Sequence, residues 1–138
     1  MKTLNVEVIT PSKAVYAGSV NSITIPGTSG SFQVLYNHAP ILSSFEIGVV
    51  TIEETGGAVL KFATGGGTVE VLSNKVLLLA ESFENVKDID VKRAESAMTR
   101  AKRRLSKESS EENIDHARAE VALKRAINRL KLSGNYFK

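Results

Sequence analysis

Residues Glu84-Asn-Val-Lys-Asp-Ile-Asp-Val-Lys-Arg-Ala94 divide this chain into two kinds of sequence. Before them, apolar residues come in short runs broken by glycine; after them, apolar residues step by three and four. Within the stretch, Ile89–Ala94 carries the pattern Ile-Asp-x-x-Arg-Ala, which returns at Ile114–Ala119 as Ile-Asp-His-Ala-Arg-Ala. Each copy opens a helix. Asp88 reads as the first N-cap, Asp90 puts an acid in the first turn, and basic residues gather toward Arg103-Arg104, an order that suits the helix dipole. Val91, Ala94, Met98, Ala101 and Leu105 then form one apolar stripe. Residues Ser106–Glu112 read as a polar turn. Asn113 reads as the cap of the second helix, supported by Asp115 and ended by Gly134. Its apolar face is Ala119, Ala122, Leu123, Ala126, Ile127 and Leu130.

Alanine dominates both stripes, so the two helices are expected to pack closely as an antiparallel hairpin. With a turn centred near residues 109–110, facing positions have numbers summing to about 219–220. That register sets Ala94 across from Ala126, Ala97 from Ala122 and Ala101 from Ala119. It also brings Asp90 level with Arg129 and Arg93 near Arg125. Such a cluster has two readings. Asp90 pairs with Arg93 or Arg129 and merely closes the hairpin, worth at most ~1 kcal/mol if exposed. Alternatively, the excess of guanidinium over carboxylate forms an anion site, because Arg forks suit phosphate oxygens. Asp115 and Arg118 in the second copy lie near the turn, where fewer arginines converge, and read as a plain helix start.

Working back from Glu84, the chain reads as strands. Leu4, Val6 and Val8 alternate with polar neighbours, and Val20, Ile23 and Ile25 lead to Pro26-Gly27. Phe32–Leu35 makes another run. Val49–Ile52 enters a hairpin turn at Glu53–Gly57, and Val59–Phe62 returns from it. Thr68–Leu72 and Lys75–Ala80 flank Ser73-Asn74, a two-residue hairpin link. The run Gly65-Gly66-Gly67 lacks a following Gly-Lys-Ser/Thr and a helix, so it reads as a bulge or corner where another backbone passes closely. The fold class expected is α+β: an N-terminal antiparallel β-sandwich of short strands over residues 1–84, then a C-terminal antiparallel two-helix hairpin over 85–138.

Composition narrows the function. There is no cysteine, which excludes disulfides and thiolate chemistry. His38 and His116 lack ligand-like spacing, so no metal site is expected. No paired carboxylates or Ser-His-Asp arrangement appears, and no catalytic residue is assigned. No apolar run reaches the roughly 18–20 residues that cross a bilayer, and the N-terminus lacks the apolar region of a signal peptide. The net charge of +3 conceals an asymmetry. Residues 1–83 carry four Lys and six acidic residues, whereas residues 84–138 carry fourteen basic and nine acidic ones; no Arg precedes Arg93. The second part therefore calls for an acidic partner. Nucleic acid is the weaker choice, because Tyr136 and Phe137 are the only aromatics after Phe83 and stacking platforms are missing.

Taken together, the Asn37-His-Ala-Pro-Ile41 segment, the Phe62…Gly65-Gly66…Val69-Glu70-Val71 stretch, Ile89–Ala94 and Ala122-Leu-Lys-Arg-Ala-Ile-Asn-Arg-Leu130 resemble the epsilon subunit of bacterial F-type ATP synthase. The likeness runs from about Leu4 to Leu130. It implies a β-sandwich that binds the rotating gamma subunit and the c-subunit ring, with His38, Ala39 and Pro40 as candidate rotor contacts. It implies a helical hairpin that inhibits ATP hydrolysis and meets the catalytic beta subunits through its basic face. It also implies ATP as a possible regulatory ligand, no required cofactor, and a peripheral place at the cytoplasmic face of the bacterial cell membrane. Carried over position by position, the candidate ATP-binding residues are Glu84, Ile89, Asp90, Arg93, Ala94, Arg100, Arg125 and Arg129. In this family Gly-Glu-x-Gly-x-Leu-Pro-Gly-His commonly precedes Ala-Pro. Here Leu35-Tyr36-Asn37-His38 ends that run, the acidic residue is missing, and Tyr-Asn stands for Pro-Gly. The alternatives are a stand-alone ATP-sensing protein and a nucleic-acid-binding adaptor.

Overall fold

The computed structural model describes residues 2–106 and 113–134, the latter with side chains from His116 onward. Of the expected polar turn Ser106–Glu112, Ser106 is the last residue of the first helix and residues 107–112 lie outside what is described, as do the side chains of Asn113 and Asp115. The chain divides into two compact units, Met1–Asn85 and Val86–Lys138.

The first unit contains seven strands: β1 (Leu4–Ile9), β2 (Ala14–Gly27), β3 (Gly30–Val34), β4 (Ile41–Glu54), β5 (Val59–Leu72), β6 (Lys75–Ala80) and β7 (Phe83–Asn85). They pair in the order β1-β6-β5-β4-β2-β3, with β7 on β5. β1 also pairs with β2, so β1, β6, β5, β4 and β2 close on themselves. The expected α+β class, a β-sandwich domain followed by two helices, is what the chain shows, and two details of the strands differ from the short antiparallel runs expected. β2, β4 and β5 are continuous over 14 residues each. The β1–β6 ladder is parallel, Asn5 facing Lys75 and Ile9 facing Leu79. A ring with an odd number of strands cannot alternate direction throughout, so closure leaves one parallel pair. Closure leaves the five ring strands without a free edge, while β3 pairs with β2 alone and β7 with β5 alone.

Side chains facing inward fill the ring in the alternation expected of strands. Leu4, Val6 and Val8 of β1 meet Val20, Ile23, Ile25, Val50, Ile52, Val69, Val71, Val76 and Leu78, all buried. Each such side chain stabilises the fold by about 1.5–3 kcal/mol on full burial. Ser73 and Asn74 form the expected two-residue hairpin link, and both take positive φ (51° and 63°), the type I′ geometry that such links favour. Gly57, at φ 92°, closes the β4–β5 hairpin.

The three glycines form the corner expected from the sequence. Gly66 has φ 90°, and Gly67 lies against the backbone of β6 so closely that a Cβ there would overlap the Leu79 carbonyl oxygen. The backbone at this corner is tied to the next turn. Gly65 N–H donates to the Ser82 carbonyl (3.1 Å), and Glu81 N–H to the Gly66 carbonyl (2.9 Å). The buried Thr64 hydroxyl donates to the same Ser82 carbonyl at 3.0 Å and accepts from Gly66 N–H at 3.3 Å. β7 is held further by aromatic packing. Phe83 stacks on Phe62 with centroids 4.5 Å apart, and Tyr16 meets Phe62 edge-on at 5.8 Å. Tyr16 donates to Glu54 Oε2 at 2.8 Å. Burial first, then the hydrogen bond and charge of Glu54, push its phenol up to about 12, so it remains a donor at neutral pH.

In the second unit, a 3₁₀ turn (Val86–Asp88) precedes α1 (Val91–Ser106) and α2 (Asn113–Leu132). The helices pack together. Ala94, Ala101, Ala119, Ala126 and Leu130 are buried, whereas Ala97 and Ala122 of the expected seam are half-buried. α2 ends as expected: Gly134 has φ 81° and its N–H reaches the Lys131 carbonyl at 3.1 Å.

Candidate functional site

The start of α1 is built by Asp90. Ile89 N–H reaches back to the Val86 carbonyl, so Asp88 is used up in the 3₁₀ turn and cannot cap the helix. The Asp90 carbonyl accepts the first helical bond from Ala94 N–H at 3.0 Å, while Asp90 Oδ1 accepts from Arg93 N–H at 3.1 Å. Asp90 is therefore the N-cap, correcting the assignment of Asp88 to that role and of Asp90 to the first turn. Its relation to Arg93 runs through the backbone amide. The Ile-Asp-x-x-Arg-Ala pattern thus has a structural basis at two positions: Asp90 caps the helix, and Ala94 closes the first helical bond and is buried, while the Arg93 side chain takes no part in the cap.

The other positions fall on both units. Glu84 is half-buried on β7, opposite Ala63 of β5, and Ile89 is half-buried just before the helix. Arg93 and Arg100 project from α1 and are exposed, with Arg100 Nε near the Ser96 carbonyl at 3.5 Å. On α2, Arg125 and Arg129 are half-buried. Arg125 Nε is buried and has no hydrogen-bond partner among the described residues. A desolvated guanidinium nitrogen of this kind is costly alone and suits an anion that reaches it. Nothing in the spacing of Arg125 signalled that burial, which follows from helix packing. Asp90→Ala is expected to destabilise α1 by about 1 kcal/mol, whereas Asp90→Ser keeps a capping oxygen and most of that stability. Thermal unfolding of the two variants checks the difference.

On the first unit, the segment after β3 forms a turn. His38 N–H donates to the Leu35 carbonyl at 3.1 Å, and Asn37 takes φ 65° as the third residue of that turn. A positive φ there favours Gly or Asn, which suits the Asn found at this position. Asn37 N–H donates to Asn74 Oδ1 at 2.6 Å, and Asn74 Nδ2 donates to Asn37 Oδ1 at 3.4 Å. His38 Nδ1 lies 2.7 Å from the Ala39 carbonyl, with His38 half-buried and Ala39 and Pro40 exposed. The Asn37–Asn74 pairing joins residues too far apart in sequence for spacing to reveal.

Among the described residues, no His, Asp and Glu cluster suits a metal, and no helix is long and apolar enough to cross a membrane.

The architecture defines a class: a closed β-domain followed by a capped helical hairpin with an arginine-bearing face. Residues 3–86 match the ATP synthase Delta/Epsilon chain beta-sandwich domain, and residues 87–134 the ATP synthase Delta/Epsilon chain long alpha-helix domain. The chain belongs to this ATP synthase delta/epsilon chain family. It is 42% identical over 134 residues to the ATP synthase epsilon chain of Nitratidesulfovibrio vulgaris, covering 97% of this chain and 98% of that one. It is likewise 42% identical to the epsilon chain of Halalkalibacterium halodurans, covering 97% and 99%. Its fold resembles a chain of the Euglena gracilis mitochondrial ATP synthase, solved with OSCP, F1 and the c-ring (TM-score 0.76, 19% identity, 90% of this chain and 77% of that chain). It also resembles one from the Tetrahymena thermophila central stalk and c-ring (TM-score 0.57, 17% identity, 96% and 97%).

Proposed function

We propose that this chain is the epsilon subunit in the central stalk of a proton-translocating ATP synthase and is not itself catalytic. Its β-domain binds the gamma subunit and the c-subunit ring, coupling the catalytic head to the membrane. It sits at the cytoplasmic face of a bacterial membrane, held there by the complex. Its hairpin suppresses ATP hydrolysis, with the basic face of α1 meeting acidic segments of the beta subunits. The observation that carries this reading is the 42% identity to epsilon chains over 97% of the chain, spanning both units in order. Adding the protein to an epsilon-depleted synthase is expected to lower ATP hydrolysis and to restore ATP-driven proton pumping. Unchanged hydrolysis with intact binding to gamma removes the inhibitory part.

The hairpin is also proposed to bind ATP. Asp90, Arg93, Arg125 and Arg129 form the centre of the site, with Glu84, Ile89, Ala94 and Arg100 in supporting positions. Supporting this is the buried, unpartnered Nε of Arg125, which an oxyanion satisfies. In calorimetry, Arg93→Ala and Arg129→Ala are each expected to weaken ATP binding roughly tenfold, the scale of one charge-assisted hydrogen bond. Asp90→Ser isolates the carboxylate from the cap: weaker binding with unchanged helix stability marks a direct contact with the nucleotide. No heat from wild-type protein at millimolar ATP makes the arginine cluster purely structural.

A further inference from the structure

We propose that Asn74 is a positioning residue that sets the shape of the loop carrying His38, Ala39 and Pro40, and that this loop is a preorganised contact for the membrane ring. The inference rests on the reading of that loop as a rotor contact. Asn74 sits at φ 63° in the β5–β6 turn and bonds in two directions. Its backbone carbonyl accepts from Asn5 N–H at 2.9 Å, which anchors the turn to the first strand of the closed β-ring. Its side chain turns the other way, accepting from Asn37 N–H at 2.6 Å and donating to Asn37 Oδ1 at 3.4 Å. The loop is thereby fastened to the closed ring at Asn37, the residue at which the turn takes its positive φ.

The surroundings show what is held in place. Leu35 is 52% exposed, Leu42 76% and Leu72 52%. Leu35 and Leu42 flank the loop in sequence, and Leu72 lies two residues before Asn74. The amide pair makes little contact surface of its own. Its effect is to hold the loop in one conformation, so that binding does not have to order it.

Replacing Asn74 by Gly tests this, because Gly keeps the positive-φ turn and removes only the side chain. Binding of full-length wild type, Asn74→Gly and Asn74→Asp is measured to the complete membrane synthase and to its detached head with gamma but no ring. Asn74→Gly is expected to bind the complete complex roughly tenfold more weakly, the scale of one lost hydrogen bond, and the ring-free head as wild type does. Asn74→Asp keeps the acceptor for Asn37 N–H and restores binding. Exchange of the Asn37 amide proton, followed in the folded protein, is expected to quicken about tenfold in Asn74→Gly only. Equal binding of wild type and Asn74→Gly to both preparations overturns the proposal, and so does an equal loss at both. Failure of the wild type to bind the complete complex at all instead overturns the underlying rotor-contact reading.

Discussion

Gly67→Ala is expected to destabilise the β-domain by more than about 3 kcal/mol, a large share of the roughly 5–15 kcal/mol that holds a domain folded. Strand β5 is paired on both sides at this point, with Phe45 of β4 and with Ala80 of β6. A methyl group at Gly67 would overlap the Leu79 carbonyl oxygen and lie 2.9 Å from the carbonyl carbon and 3.0 Å from Ala80 Cα. All three neighbours are backbone, so no rotamer change relieves the clash. Relief requires parting β5 from β6, which breaks ladder hydrogen bonds on which ring closure depends. Gly56→Ala is the contrast, because nothing lies within 4 Å of its added methyl. Chemical denaturation of both variants checks the prediction; a Gly67→Ala midpoint equal to wild type would mean that β5 and β6 run farther apart here.

Phe62→Ala is expected to cost about 3–5 kcal/mol, the range for a buried aromatic removed from a core. Phe62 is only 6% exposed and touches two rings, Phe83 by stacking and Tyr16 by its edge. Its loss leaves a cavity and deprives β7 of its main side-chain anchor. β7 has only three residues, and its ladder to β5 spans Phe62–Thr64 alone. Hydrogen exchange is therefore expected to rise first at Glu84 and Asn85, before the rest of the ring opens. Uniform exchange across all strands in this variant would mean that β7 is held by its backbone bonds and not by the aromatic row.

The residues differ in how readily they disclose their roles. Leu4, Val6 and Val8 alternate plainly, and Ser73-Asn74 reads as a two-residue hairpin link whose type I′ form the φ angles supply. The glycine triplet was legible as a close approach because it lacked the lysine and helix of a phosphate loop. β4 was harder. Ser43-Ser44 and Glu46 look like interruptions, yet Ser44 and Glu46 are exposed and the strand runs through all three. Of the proposed nucleotide residues, Asp90, Arg93, Arg125 and Arg129 follow from hairpin arithmetic, and Glu84, Ile89, Ala94 and Arg100 from the family resemblance alone. Which carboxylate caps α1 was not legible, because Asp88 and Asp90 are both competent caps. The 3₁₀ bond from Ile89 to Val86 decides between them.

Local chemistry in the chain determined the division near Glu84, the alternation of the strands, the turns, and the alanine seam of the hairpin, since each depends on residues within a few positions of one another. Tertiary structure alone decided the parallel β1–β6 closure, the desolvation of Arg125 Nε and the bonding of Asn37 to Asn74. Those features arise where segments far apart in sequence meet, and their cause lies in the distances that folding sets.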